Sequence, residues 1–259
     1  MPDHDYVTPN EKFADIDKTF RDDINLCWLA SACSMLWSSG WAGSPKWESP
    51  TDFFTEAKSY FRDDSCNAFS GALWYLCGSF PRLDVINNIY NSGGRYTSLS
   101  VEQASSLLYC VFPEEMYTFL NTRTLSASPM GAFTASVLFS YAQHLPQDNS
   151  SIIGGHEVPL WGFDLNKTIP TGIFDDLPAI PSGSNNRSLY GNRISAVQIS
   201  DPDDEQHGLR FWLYAYYHSE THYYLLRANP ADSTVPSGWK DGRSIWLNTM
   251  TYLVPKPTT

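Results

Sequence analysis

Apolar residues recur at helical spacing through the first half of the chain and gather into short runs through the second. A helix is predicted from Asn25, a favourable N-cap type, through Cys27, Ala30, Ser31, Met35 and Leu36, with Gly40 as its stop. Ser49-Pro50 marks a second helix start, followed at helical spacing by Phe53, Phe54, Ala57, Tyr60 and Phe61. Further helices are predicted over 68–77, 82–91, 99–110 and 131–145, with Ser98 capping the third of these. The pattern then changes. Val158 to Phe163 reads as a buried strand, and Ile194 to Ile199 alternates before the turn Asp201-Pro202-Asp203-Asp204. Residues 209–217 and 223–226 are spaced as a hairpin, and 245–253 as a last strand. Residues 165–192, rich in Pro, Gly, Ser and Asn, read as a long loop, and residues 1–20 as a loosely ordered arm.

A helical first half followed by a β second half predicts an α+β chain. Residues 1–259 form a single domain, with a helical lobe over about 1–148, an antiparallel β lobe over about 149–259 and a cleft between them. At 42% hydrophobic and 15% aromatic residues the chain can build a real core. Its net charge of -11 argues against nucleic acid or an anionic membrane surface as a partner, since both need basic surfaces. Met1 to Lys12 is polar and acidic and lacks the basic and apolar regions of a signal peptide, and no run of 18 apolar residues exists. The five cysteines form no CxxC pair and no zinc-ligand spacing, so neither a metal nor a disulfide scaffold is expected.

Three short segments carry chemistry. Cys27 falls in the first turn of the first predicted helix. There the helix dipole favours a thiolate, and the backbone N–H has no intrahelical acceptor. Asp22 and Asp23 oppose the first effect. Cys33, six residues on and deeper in the helix, is the rival nucleophile and lacks both features. His156 stands at the mouth of the apolar strand, behind Gly154-Gly155, while His4, His144, His207, His218 and His222 lie in the arm, at a helix end or near turns. Asp201 ends the next strand, where a carboxylate can orient an imidazole. Each feature alone fits a bland role: a core cysteine, a strand-edge histidine and an acidic turn. Cysteine, histidine and aspartate in this chain order match papain-like cysteine peptidases.

Asp15-Ile16-Asp17-Lys18-Thr19-Phe20, then Leu26-Cys27, Ala30, Met35 and Leu36, resembles the nucleophile region of the IdeS/Mac family of immunoglobulin-degrading cysteine endopeptidases. His156, Val158 and Leu160-Trp161-Gly162, and then Asp201-x-Asp203, are similar to the same family's histidine strand and its Asp-x-Asp. The resemblance implies a papain-like fold and a catalytic set of Cys27 as nucleophile, His156 as base and acid, and Asp201 as its orienting group. It implies that Lys18 joins the Cys27 amide in the oxyanion hole, with Asp203 in support, and that no cofactor is used. It further implies a monomer acting on a protein substrate, a host protein such as an immunoglobulin, from a bacterial cell that secretes or injects it. Other reactions of the same triad are removal of a ubiquitin-like modifier, acyl transfer and transglutamination. A different class is a binding module that presents the aromatic stripe of Trp212, Tyr214, Tyr216, Tyr217, Tyr223 and Tyr224. That stripe also suits an ordinary β core.

Overall fold

The computed structural model describes residues 4–19, 21–43, 45–79, 94–124, 131–140, 152–174, 193–203, 208–218, 222–241 and 243–257. Its centre is one antiparallel sheet closed into a barrel. The strands are β1 (Tyr6–Val7), β2 (Leu108–Val111), β3 (Ala132–Ser140), β4 (Ile152–Leu165), β5 (Ile194–Ile199), β6 (Phe211–His218), β7 (Tyr223–Arg227) and β8 (Ser244–Leu253). Six of them close the ring in the order β4-β3-β8-β7-β6-β5 and back to β4, while β1 and β2 add on at β4 and β8. The helices are α1 (Cys27–Ser38), α2 (Pro50–Lys58), α3 (Ala68–Cys77), α4 (Val101–Ser106) and α5 (Pro113–Phe119).

This architecture overturns the expected papain-like fold of a helical lobe facing a β lobe. β3, which falls within the expected helical lobe, joins the later strands in one barrel, and the described helices are few and short. The decisive segment is 131–145, predicted as a helix. Ala132–Ser140 is instead strand β3, hydrogen-bonded to β4 on one side and β8 on the other. Phe133, Ala135 and Val137 alternate into the barrel interior with Val158, Leu160, Leu213 and Leu247. Thr134 is fully buried, and Ala132 packs with the helices. A strand covered on both faces loses the polar positions that betray period two. Burying one such aliphatic or aromatic side chain yields about 1.5–3 kcal/mol. Helix propensity differs by less than about 1 kcal/mol per residue, so tertiary burial decides.

A second correction concerns 99–110. Ser100, rather than Ser98, caps a short helix in a capping box with Gln103, and Leu108–Val111 then leaves it to pair with β8. The helix predicted over 82–91 lies outside the described residues. Residues 4–19 are no loose arm. β1 pairs with β4, and Arg210 donates to the Thr8 carbonyl and to Asn10. Gly162 permits the close approach, because a Cβ there would lie 2.8 Å from the Tyr6 carbonyl oxygen.

Other expectations hold. Ser49 caps α2 in a capping box with Asp52, and Pro50 takes the first helical position. The helix over 68–77, the strand over 194–199, the 211–218/223–227 hairpin and the last strand are all present. The helices have a core of their own. Leu29, Cys33, Met35 and Leu36 of α1 pack with Phe53 and Phe54 of α2 and with Leu73 and Leu76 of α3. α1 thereby lies against the outside of β3 and β4.

Candidate active site

Cys27 is the first residue of α1, and Leu26, not Asn25, is the N-cap; no side chain caps this end. The Cys27 N–H, at the first helical position, therefore has no acceptor within the helix. One turn further on, Ser31 Oγ donates to the Glu157 carbonyl of β4 at 3.0 Å. Residues four apart share a helix face. The Ser31 tether therefore turns Cys27 toward the same strand, one residue away from Glu157, where His156 stands. Trp28 is buried beside Cys27; its indole donates to the Asp64 carbonyl at 2.9 Å, and its ring meets Phe61 edge-on.

The strand register brings Asp201 to His156. β4 and β5 are antiparallel with Leu160 opposite Ile199, and the ladder continues as Ser200 N–H donates to the Pro159 carbonyl. Asp201 thus emerges beside His156, and Asp201 Oδ1 lies 2.7 Å from His156 Nε2. His156 and Cys27 line one cleft. With Nε2 held by Asp201, the other ring nitrogen is the one that serves Cys27. Burial disfavours the imidazolium, but the hydrogen bonds and charges of Asp201 and Cys27 outweigh it and hold His156 well above its ordinary pKa. Burial likewise opposes ionisation of Asp201. Hydrogen bonds from His156, from Trp239 Nε1 at 2.6 Å and from the Asp203 N–H at 2.9 Å overcome it and keep this carboxyl below its ordinary value.

Lys18 is buried and pairs with Asp203. Ala14, Ile16 and Lys18 point inward in alternation along an extended segment, whose Lys18 N–H donates to the Pro202 carbonyl. The Lys18 ammonium lies 2.6 Å from Asp203 Oδ1 and donates to the Ile24 carbonyl, three residues ahead of Cys27. Asp203 therefore joins Lys18 through its side chain and Asp201 through its backbone. Asp204 lies outside the described residues. Ligand atoms of His156, Asp201 and Asp203 lie within 4.8 Å of one another, as in a metal site. Here the Lys18 ammonium already supplies the cation to Asp203, and His156 Nε2 is committed to Asp201. Asp22 and Asp23, expected to oppose a thiolate, both pair with Lys58. Asp23 is fully buried; burial disfavours its charge, but the Thr19 and Lys58 donors hold its carboxyl below the ordinary value.

Cys33, the rival nucleophile, is buried in the helical core, and burial pushes its thiol well up. Two residues of the site escaped the sequence reading. Trp239 closes the outer side of the His156–Asp201 pair with its N–H and shares an aromatic cluster with Phe139 and Phe211. Glu157 lies next to His156 in a cleft of about 190 Å³ that Cys27, Trp28, Cys66 and Ser136 also line. A buried indole needs an acceptor, but nothing in the sequence around Trp239 says which one.

The aromatic stripe divides. Tyr224 is in the barrel core, while Trp212, Tyr214 and Tyr216 lie half-buried on the outside of β6, where Trp212 stacks on His4. No protein-family model matches the sequence, and no curated protein matches it either.

Proposed function

We propose that the protein is a cysteine endopeptidase in which Cys27 is the nucleophile, His156 the general base and acid, and Asp201 the group that orients His156. The observation that carries this reading is the buried His156, hydrogen-bonded to Asp201 and sharing a cleft with Cys27 at an uncapped helix start. A closed barrel flanked by helices supplies the scaffold, since the same constellation recurs on unrelated folds.

In the proposed cycle the Cys27 sulfur attacks the scissile carbonyl carbon, and the carbonyl π pair moves onto oxygen. The Cys27 N–H and the Lys18 ammonium stabilise that oxyanion. Collapse breaks the C–N bond, and the imidazolium of His156 gives its proton to the leaving amine. Water then attacks the thioester, with His156 accepting its proton, and the acid product leaves as the thiol is restored. The resemblance around Lys18, Cys27, His156 and Asp201-x-Asp203 supports a protein substrate, in the first instance a host protein met by a secreted or injected enzyme.

Cleavage-site mapping in a host-cell lysate tests the reading, with the wild type and Cys27→Ala side by side. New peptide termini are expected with the wild type alone. Identical termini from Cys27→Ala, or none from the wild type, contradict the proposal. Product masses that include a transferred acyl group point instead to acyl transfer by the same residues.

A further inference from the structure

Glu157 is 6% exposed and lies in the cleft beside Cys27. The backbone N–H of Ala68, the first residue of α3, pulls on its carboxyl. Its Oε2 is fully buried and has no hydrogen-bond partner. A buried acceptor without a donor is uncommon and costly, and it calls for a partner that arrives from outside. Glu157 lines the cleft through which such a partner would come. At about 190 Å³ it is smaller than the roughly 300–1,000 Å³ of small-molecule sites and of the order of one long side chain. Its other walls are mainly small and polar: Asn25, Ser65, Cys66, Ser136 and Gly155. Among the described residues that line it, Glu157 is the one carboxylate.

We infer that Glu157 determines specificity in this cleft by drawing a lysine or arginine side chain of the substrate in beside Cys27. The inference rests on the peptidase reading. The chemistry matches the site on three counts. A cationic side chain brings the donor that Oε2 lacks. A hydrogen bond between charged partners is the strong kind. The cleft, at about 190 Å³, has room for the long apolar stem of lysine or arginine. Burial pushes the Glu157 carboxyl up to about 8, against the pull of the His156 charge and the Ala68 N–H. Near neutral pH the free site therefore holds a proton that an incoming cation displaces to solvent, and no unpaired charge is stranded there.

The test uses the full chain and two small probes, N-acetyl-arginine amide and N-acetyl-norleucine amide, as protectants against alkylation of Cys27 by iodoacetamide. The arginine amide is expected to protect wild-type Cys27 at concentrations about tenfold lower than the norleucine amide. In Glu157→Gln, which keeps an acceptor for Ala68, the two are expected to protect alike. Equal protection in the wild type overturns the inference and needs no variant for its interpretation. A preference that survives in Glu157→Gln overturns it too. Fast alkylation of Cys27 without protectant, together with cleavage that Cys27→Ala abolishes, leaves the peptidase reading standing in either case. Slow alkylation removes both.

Discussion

Replacing Asp201 by asparagine tests how His156 is held. The carboxylate accepts His156 Nε2 and the Asp203 N–H on Oδ1, and Trp239 Nε1 on Oδ2. Asparagine has the same shape but a single acceptor oxygen. In one amide orientation its NH₂ meets the Trp239 N–H; in the other it meets His156 and the Asp203 N–H. Either way a buried donor faces a donor. Breaking one side of a buried ion pair costs about 3–5 kcal/mol. In a chain of this size that lowers the melting temperature by on the order of 10 °C.

The pH dependence of the loss is more diagnostic than its size. His156 is raised in the folded state, so its contribution is complete below its unfolded value of about 6.5 and fades as pH climbs through the raised value. Asp201 is lowered, so its contribution is complete above about 3.9 and fades as pH falls through the depressed value. The stability gap between wild type and Asp201→Asn is therefore expected to be widest between about pH 4 and 6.5 and to narrow into the alkaline range. Urea unfolding followed by tryptophan fluorescence across that range measures it. A gap that is flat with pH, or that widens as pH rises, refutes an imidazolium held by Asp201.

Three further substitutions probe the frame around the pair. Trp239→Phe removes the N–H on Asp201 Oδ2 but keeps an aromatic ring beside Phe139 and Phe211; thermal melts are expected to show a loss of about 1.5–3 kcal/mol, and an unchanged melt contradicts the contact. In Gly71→Ala the new Cβ would lie 2.8 Å from Ala32 Cβ and 3.2 Å from Trp28 Cζ3. Overpacking of about 1–3 kcal/mol exceeds the helix-propensity gain of about 1 kcal/mol, so chemical unfolding should show net destabilisation, and a stabilised variant contradicts the close α1–α3 crossing. Lys18→Met is expected to lower kcat about 10²–10³-fold with KM little changed, while Cys27 alkylation, which forms no oxyanion, persists; a change confined to KM removes Lys18 from the oxyanion role.

The elements legible in the sequence are those whose signals are local. Ser49-Pro50 with Asp52 specifies a helix start by hydrogen bonds within four residues. Ile194–Ile199 is buried at all six positions, and its strand is marked by the turn that bounds it at Asp201-Pro202. β3 and β2 were misread because their strand state depends on β8, more than a hundred residues downstream. That distance also hid the barrel. A helix-rich opening and a strand-rich ending look like two layers until β3, from the expected helical lobe, is seen to join β4 to β8.

For the site, Cys27, His156 and Asp201 were legible because each sits at the end or mouth of a recognisable element, and the fold brings them together. Trp239 was not, since it reaches Asp201 from a short turn 38 residues away. Glu157 was overlooked because a carboxylate beside a histidine in sequence carries no mark of its burial.

The account rests on Cys27 and His156 acting as one unit, and the five free cysteines provide the comparison within one molecule. Brief treatment with iodoacetamide near neutral pH, followed by peptide mass mapping, ranks them in the wild type and in His156→Ala. Cys27 is expected to react first, at least about tenfold faster than the exposed Cys110, and to lose that lead in His156→Ala. Cys27 reacting no faster than Cys110, or at a rate indifferent to His156, contradicts the account.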